Sequence, residues 1–129
     1  VELLQVWADA PDVVGIVTFT VAGHDPGEVA AYLSAEHGIG VRDGKFCAHP
    51  LLRRLGHADG AVRASIGLGS SSADVDRLVD ALAAFVESGP TWDYAEEAGW
   101  WNPVPDPRPF PALADGAAGV GSPCSPTGS

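Results

Sequence analysis

Residues Ser71 to Val86 carry the strongest secondary-structure signal in the chain. Ser71 can act as an N-cap, and Asp74 three residues later completes a capping box. The apolar residues that follow recur at helical spacing and form one stripe: Val75, Leu78, Val79, Leu82 and Phe85. A helix with one apolar stripe has to bury it against another layer of secondary structure. We therefore expect a layered fold in which this helix is one layer.

The opposite layer is predicted to be a β-sheet. Residues 13–21 read VVGIVTFTV, and this β-branched and aromatic run is typical of a strand that is central in a sheet or buried on both faces. Shorter strands are predicted over residues 1–7, 39–41 and 61–68. The segment between residues 42 and 50 is predicted to be a loop.

Two further helices are predicted between the strands. Asp25 and Pro26 suit the N-cap and the first helical position, and Gly38 suits a left-handed C-cap. A short helix is predicted over residues 50–55. The simplest fold that accommodates these elements is of the α+β class. It has a sheet of about four, mainly antiparallel strands, with the helices packed on one face.

Proline and glycine divide the chain into parts. There are 11 prolines and 16 glycines in 129 residues, and they are frequent in the C-terminal third. We predict a domain over residues 1–87 and a Trp/Pro-rich arm over 88–111, with polyproline II structure where prolines alternate. Residues 112–129 are predicted to be a disordered tail. The tryptophans of the arm favour packing against a larger body.

Charge and cysteine content argue against several classes of protein. The formal net charge of −10 repels phosphate backbones, so nucleic acid is not an expected partner. The apolar runs are too short to cross a bilayer, and the start has no signal-peptide pattern. Cys47 and Cys124 lie in different contexts without metal-binding spacing. This predicts neither a disulfide framework nor a zinc site, and favours the cytoplasm.

One continuous region resembles a known family. Residues 42–56 read RDGKFCAHPLLRRLG and residues 62–82 read VRASIGLGSSSADVDRLVDAL. Together they resemble the C-terminal small domain of class V aminotransferase-fold enzymes, and are most similar to the cysteine desulfurase and selenocysteine lyase branch. The resemblance covers about residues 1–86. It implies part of a fold type I pyridoxal-phosphate enzyme, a transferase or lyase that acts on an amino acid as a homodimer.

The resemblance also implies roles for three residues. Cys47 matches the cysteine whose thiolate takes up sulfur as a persulfide in the desulfurases. Arg63 matches the arginine that binds the substrate α-carboxylate, for which a planar bidentate donor is well suited. Arg42 matches the arginine that opens the cysteine loop and supports it. Where the family often has two histidines, this chain has Lys45 and Phe46; the charge of Lys45 can favour the thiolate instead.

The implied cofactor, pyridoxal 5'-phosphate, needs a lysine for its Schiff base. Lys45 is the only lysine, and it does not match the family's lysine, which follows a histidine in a large N-terminal domain. No cofactor-binding residue and no metal ligand is therefore predicted in this chain, which we expect to be inactive alone. Because the chain starts on a strand-like run without Met, we expect that large domain to precede it.

Two other interpretations stay open. The chain could be a stand-alone, non-catalytic α+β module that binds a protein through its tryptophan arm, which predicts a start codon near Val1. Alternatively, the enzyme could be an aminotransferase or lyase in which Cys47 is idle. Selective alkylation of Cys47 over Cys124 would distinguish a reactive cysteine from an idle one.

Overall fold

A computed structural model describes residues 1–5 and 14–109 of the chain. The strands and helices, in chain order, are β1 (Glu2–Leu3), β2 (Ile16–Thr20), α1 (Pro26–His37), β3 (Arg42–Gly44), α2 (His49–Arg54), β4 (Ala61–Ser65), α3 (Ser72–Ser88), β5 (Tyr94–Glu97) and β6 (Trp100–Pro103). The end of the predicted first strand and the predicted disordered tail over residues 112–129 lie outside the described residues.

Four of the strands form one sheet with the order β1-β2-β4-β3, and every neighbouring pair in it is antiparallel. Side chains from β2, β4, α1 and α3 join in one hydrophobic core. Its buried members are Phe19, Val21, Val29, Tyr32, Leu33, Val62, Ala81, Leu82 and Phe85. The predicted α+β fold class with a four-stranded antiparallel sheet is confirmed.

Both long helices begin where their capping residues predict, and α1 also ends at its predicted cap, whereas α3 runs to Ser88, two residues past the predicted end at Val86. The Asp25 side chain accepts a hydrogen bond from the Gly27 backbone N–H at 2.7 Å, and Gly38 adopts the left-handed conformation with φ 65°. At α3, the Ser71 backbone N–H donates to the Asp74 carboxylate at 2.8 Å. These local contacts satisfy backbone groups that a helix end leaves without partners.

The prediction of a strand over residues 39–41 is wrong, because the paired residues begin later, at Arg42. Ile39 and Val41 are partly buried against the core instead. Apolar composition in this short run reflects side-chain burial and not strand pairing. The segment predicted as a loop therefore starts with the edge strand β3.

The strands β2 and β4 also differ from their predictions in detail. β2 is central, as predicted, but Ile16 is 49% exposed and Val17 is 42% exposed, so its two faces are not both buried. β4 ends at Ser65, earlier than the predicted end at residue 68. Leu68 is fully exposed beyond the strand.

The apolar stripe of α3 is only partly covered. Leu82 and Phe85 lie in the core, whereas Val75 is 40% exposed and Val79 is 58% exposed. The uncovered part borders an open apolar groove of about 480 Å³ between α3 and the sheet. Its other lining residues include Val1, Leu3, Val17, Phe19, Ala64, Ile66 and Val86.

The tryptophan-containing arm forms an antiparallel hairpin of β5 and β6, which the sequence did not predict. Ala98 and Gly99 connect the strands with φ values of 52° and 84°. Two consecutive left-handed residues are typical of the tight turns that join hairpin strands. Ala-Gly is a weaker turn signal than Asn-Gly, so the sequence pattern does not indicate this hairpin.

The hairpin packs on α1, and a glycine makes this contact possible. A Cβ atom built on Gly27 would lie 2.6 Å from Cδ1 of Trp101, closer than real Cβ contacts come. Gly27 therefore lets the indole of Trp101 rest on the first turn of α1. In the described residues, Trp101 of the arm contacts a helix of the small domain, and packing of the arm on a larger body stays a prediction.

At the other end of α1, one carboxylate holds the start of the hairpin. Glu36 accepts hydrogen bonds from the backbone N–H of Thr91 at 3.0 Å, the backbone N–H of Trp92 at 3.1 Å and the Tyr94 hydroxyl at 3.1 Å. Burial first, and then the charge of Glu36, raise the pKa of Tyr94, so its hydroxyl keeps its proton and remains a donor.

The same contacts make the stability of the fold depend on pH. Burial acts to raise the pKa of Glu36, but the hydrogen bonds from Thr91, Trp92 and Tyr94 outweigh it and hold the pKa below its ordinary value of 4.5. A carboxyl with a lower pKa in the folded state contributes its stability above the unfolded pKa. This contribution is lost as the pH falls through the folded pKa.

We therefore expect the free energy of unfolding to decrease below about pH 4.5, and Glu36→Gln to remove part of that pH dependence. At pH 7 the variant should lose about 1 kcal/mol, because exposed and partly buried donors lose a charged acceptor. Urea unfolding followed by tryptophan fluorescence measures both effects. Glu97→Gln, at an exposed carboxylate of the same hairpin, is the control, and equal losses in the two variants would contradict the role of Glu36.

Candidate functional site

Strand register places the two predicted arginines opposite each other. β3 pairs with β4 so that Arg42 faces Arg63, and β2 pairs with β4 so that Thr18 faces Arg63 on the other side. Directly opposite residues of antiparallel strands share one face of the sheet. Val62, the neighbour of Arg63, lies in the core, so Arg63 belongs to the face that points away from it.

Arg63 has an unsatisfied donor. Its side chain is only partly exposed, and its Nε atom is buried without a hydrogen-bond partner within the part of the chain that the structure describes. A buried donor on a charged group that lacks a partner costs about 1–3 kcal/mol or more. Such a donor suits a bound oxygen acceptor such as a carboxylate, which a guanidinium can hold with two N–H groups.

An aromatic ring lies over the same guanidinium. The Cζ atom of Arg63 is 5.1 Å from the centroid of the Phe46 ring, within the range of a cation–π interaction. Phe46 itself is partly buried. This contact brings the segment after β3 onto the arginine.

Cys47 is carried on a strained turn next to this contact. The Ala48 backbone N–H donates to the Lys45 carbonyl oxygen at 2.7 Å, and the two residues between them have φ values of 50° for Phe46 and 57° for Cys47. A left-handed conformation costs a residue other than glycine about 1–2 kcal/mol. Strain of this kind concentrates at functional sites. The turn leaves the free thiol of Cys47 exposed.

The three residues predicted for the site are therefore brought to one edge of the sheet. Arg42 and Arg63 pair across β3 and β4, and the turn with Cys47 follows β3 directly. Arg42 is exposed. The structure does not test the chemical roles of Cys47, Arg63 and Arg42, which stay predictions here.

Sequence reasoning missed the contribution of Phe46. In the sequence, Phe46 stands where the resembling family often has a histidine, and its position next to Cys47 is the signal that it lies in the site. A cation–π contact joins residues from two different elements, and neither sequence segment alone predicts it. The strand register does not predict it either, because the antiparallel pairing runs from Arg42–Arg63 to Gly44–Ala61 and so leads away from Arg63.

The described residues contain no cluster of three or more His, Cys, Asp or Glu side chains that could hold a metal ion. Within residues 1–5 and 14–109, no helix has the length and apolar composition needed to cross a membrane. The arginine pair and the cysteine turn are the residues from which the candidate site is built.

The region that contains the arginine pair and the cysteine turn matches a known protein family. Residues 1–78 match the family described as aminotransferase class-V. The chain is 38% identical over 80 residues to "Probable cysteine desulfurase 1" of Mycobacterium leprae (strain TN), covering 62% of this chain and 13% of that protein. It is 45% identical over 67 residues to a "Probable cysteine desulfurase" of Pseudomonas putida, covering 52% and 16%.

A third relative extends the match slightly. The chain is 31% identical over 91 residues to a "Probable cysteine desulfurase" of Methanothermobacter thermautotrophicus, covering 69% of this chain and 23% of that protein. The chain thus spans less than a quarter of the length of these relatives. Because the family match includes β1 to β4, both arginines and Cys47, the chain belongs to the aminotransferase class-V family.

Proposed function

We propose that this chain supplies a carboxylate-binding arginine and a sulfur-accepting cysteine to a pyridoxal-phosphate-dependent enzyme that acts on an amino acid, in the manner of a cysteine desulfurase. The names of the matched relatives support this reaction. The observation that carries the proposal is the buried, unpartnered Nε of Arg63 beside the Cys47 turn.

Arg63 is proposed to bind the α-carboxylate of the substrate. A carboxylate next to the guanidinium would accept from the buried Nε–H and from a terminal N–H in one plane. Such a pair would satisfy the donor that the described residues leave unpaired. It would also fix one end of the substrate relative to the strand that carries Arg63.

Cys47 is proposed to be the sulfur acceptor. Its Sγ, as a thiolate, would form a bond to the sulfur of a cysteine substrate while the substrate C–S bond breaks. The electron pair of that bond stays with the substrate carbon, which takes up a proton. The products are a persulfide on Cys47 and alanine, so no external oxidant is needed. The exposed turn of Cys47 leaves the thiol accessible for this step and for passing the sulfur on.

Arg42 is proposed to support the site from the opposite strand. It pairs with Arg63 across β3 and β4, so two positive charges meet at one edge of an acidic chain. This local charge would favour an anionic substrate. Arg42 is also the first residue of β3, which leads directly into the cysteine turn.

The cofactor is proposed to be held by another part of the enzyme. Lys45 is the only lysine of the chain and lies exposed on the turn before Cys47. An exposed lysine on a turn does not fit the enclosed site that a Schiff base needs. The described residues therefore do not fit a pyridoxal-phosphate site, and their proposed work is to bind and orient the substrate and to accept sulfur.

The apolar groove is proposed to receive the large domain that the longer relatives contain. An open groove of about 480 Å³ that is lined almost entirely by aliphatic side chains is typical of a surface that another protein segment covers. Val79, 58% exposed, lies on its α3 side. We also propose, from the family resemblance, that the whole enzyme is a cytoplasmic homodimer.

The alternative of a non-catalytic module that binds through its tryptophans receives less support. Trp101 is partly buried against α1, and Trp92 is partly buried, with its backbone N–H donating to Glu36. Trp100 is 75% exposed, so one indole is presented to solvent. Within residues 88–109 of the arm, one exposed indole offers a small surface for a protein partner.

Arg63→Lys tests the proposed function in the cofactor-loaded enzyme that carries this chain. Lysine keeps the charge but cannot form the bidentate pair. With about 1.5–3 kcal/mol for a charged hydrogen bond, we expect KM for the amino acid to rise roughly tenfold to a hundredfold. Steady-state kinetics measures this change. Arg53→Lys, at the exposed end of α2, is the control, and an unchanged KM in Arg63→Lys would refute carboxylate binding.

Val79→Glu tests the proposed domain contact. In the 129-residue chain the residue is largely exposed, so the free energy of unfolding should change by no more than about 0.5 kcal/mol. In the whole enzyme the new charge would be buried, and the melting temperature should fall by several degrees. Val14→Glu, at an apolar residue exposed outside the groove, is the control. Equal small effects in both proteins would show that the groove is not covered.

A further inference from the structure

The contact between Phe46 and Arg63 links the turn that carries Cys47 to strand β4. Phe46 precedes Cys47 on the turn, and Arg63 lies on β4. The guanidinium carbon is 5.1 Å from the ring centroid. None of the roles assigned to the cysteine or to the arginines uses this ring.

The geometry points to Phe46 as a positioning residue, which holds the Arg63 guanidinium in the orientation that binds a carboxylate and ties that orientation to the Cys47 turn. The inference rests on the proposed carboxylate binding by Arg63. It assigns a role to a side chain that differs from the histidine often present there in the resembling family. Phe46 would act through Arg63 and would not itself contact the reacting atoms.

A ring over the guanidinium is compatible with a bound carboxylate. The guanidinium is planar, so an aromatic ring can cover its face while its N–H groups donate at the edge. The ring therefore does not compete for the buried Nε donor, which still lacks a partner. Fixing the plane of the guanidinium fixes the plane in which a bidentate acceptor must lie.

Arg63 needs such support because of its neighbour. Arg42 lies directly opposite on β3, and like charges in this position repel each other. The aromatic face of Phe46 attracts the Arg63 guanidinium and offsets part of that repulsion. Without the ring, we expect the Arg63 side chain to populate further rotamers, and some of these would turn the Nε–H away from the substrate.

The backbone of the turn connects this support to the cysteine. Phe46 and Cys47 are both left-handed, with φ values of 50° and 57°, and the hydrogen bond from Ala48 to Lys45 closes the turn around them. If the turn relaxed to negative φ values, the Phe46 ring and the Cys47 thiol would be displaced together. The cation–π contact thus helps to hold a turn that is otherwise strained.

Phe46→Leu and Phe46→Tyr test the inference. Leucine keeps an apolar side chain without a π face, whereas tyrosine keeps the face. In the cofactor-loaded enzyme, we expect Phe46→Leu to raise KM for the amino acid ~3- to 10-fold, and Phe46→Tyr to restore KM. A KM unchanged in Phe46→Leu, or raised equally in Phe46→Tyr, would overturn the role of the ring.

A second measurement does not depend on activity. The Phe46 ring current should shift the Nε–H resonance of Arg63 in a ¹H–¹⁵N spectrum of the 129-residue chain. Phe46→Leu should move this resonance toward the position of an exposed arginine, and Phe46→Tyr should leave it near the wild-type position. An Nε–H resonance that is identical in Phe46→Leu and wild type would overturn the contact itself.

Arg63→Lys separates this inference from the proposed function. If Arg63→Lys leaves KM unchanged, carboxylate binding fails and the role of Phe46 fails with it. If Arg63→Lys raises KM and Phe46→Leu does not, only the role of Phe46 is overturned. If both raise KM and Phe46→Tyr restores it, both proposals are supported.

Discussion

The antiparallel pairing of β4 with β2 on one side and β3 on the other is the constraint on which both the core and the site depend. Successive residues of a strand point to opposite faces, so Val62 enters the core and Arg63 faces away from it. A shift of register by one residue would bury the arginine and expose the valine. The start of β4 is fitted closely to β3, because a Cβ atom on Gly60, whose φ is 118°, would lie 2.9 Å from the Gly44 carbonyl oxygen. Through this register, hydrophobic burial on one face determines which charged residues meet on the other.

The ends of helices that depend on neighbouring residues could be predicted from the sequence. The pairing of distant segments could not. The Asp25 and Ser71 caps and the left-handed Gly38 set the two long helices, because each depends on residues within one turn. The position of β3 and the β5–β6 hairpin depend on which segments pair across the chain, and apolar patterning alone does not decide that. The exposure of Val79 could not be predicted either, because an amphipathic pattern shows which face of a helix is apolar but not what covers that face.

The candidate site follows the same division. The motif around Cys47 and the arginines at 42 and 63 identified the residues from the sequence, and the structure places their backbones at one sheet edge. The Nε of Arg63 that lacks a partner, and the ring of Phe46 over the guanidinium, are seen only in the folded arrangement in which β3 and β4 pair. Together they show what the motif residues alone do not: an arginine whose Nε–H has no partner among the described residues, and a cysteine on a strained turn that follows β3.

The account is tested most directly by the mass of the peptide that contains Cys47 after the cofactor-loaded enzyme has turned over cysteine without a sulfur acceptor. We expect one added sulfur atom on Cys47 and none on Cys124, and no such product in Cys47→Ser. Alanine formation without added sulfur on Cys47, or with equal addition to both cysteines, would contradict the central claim that Cys47 receives the sulfur of a substrate held by Arg63.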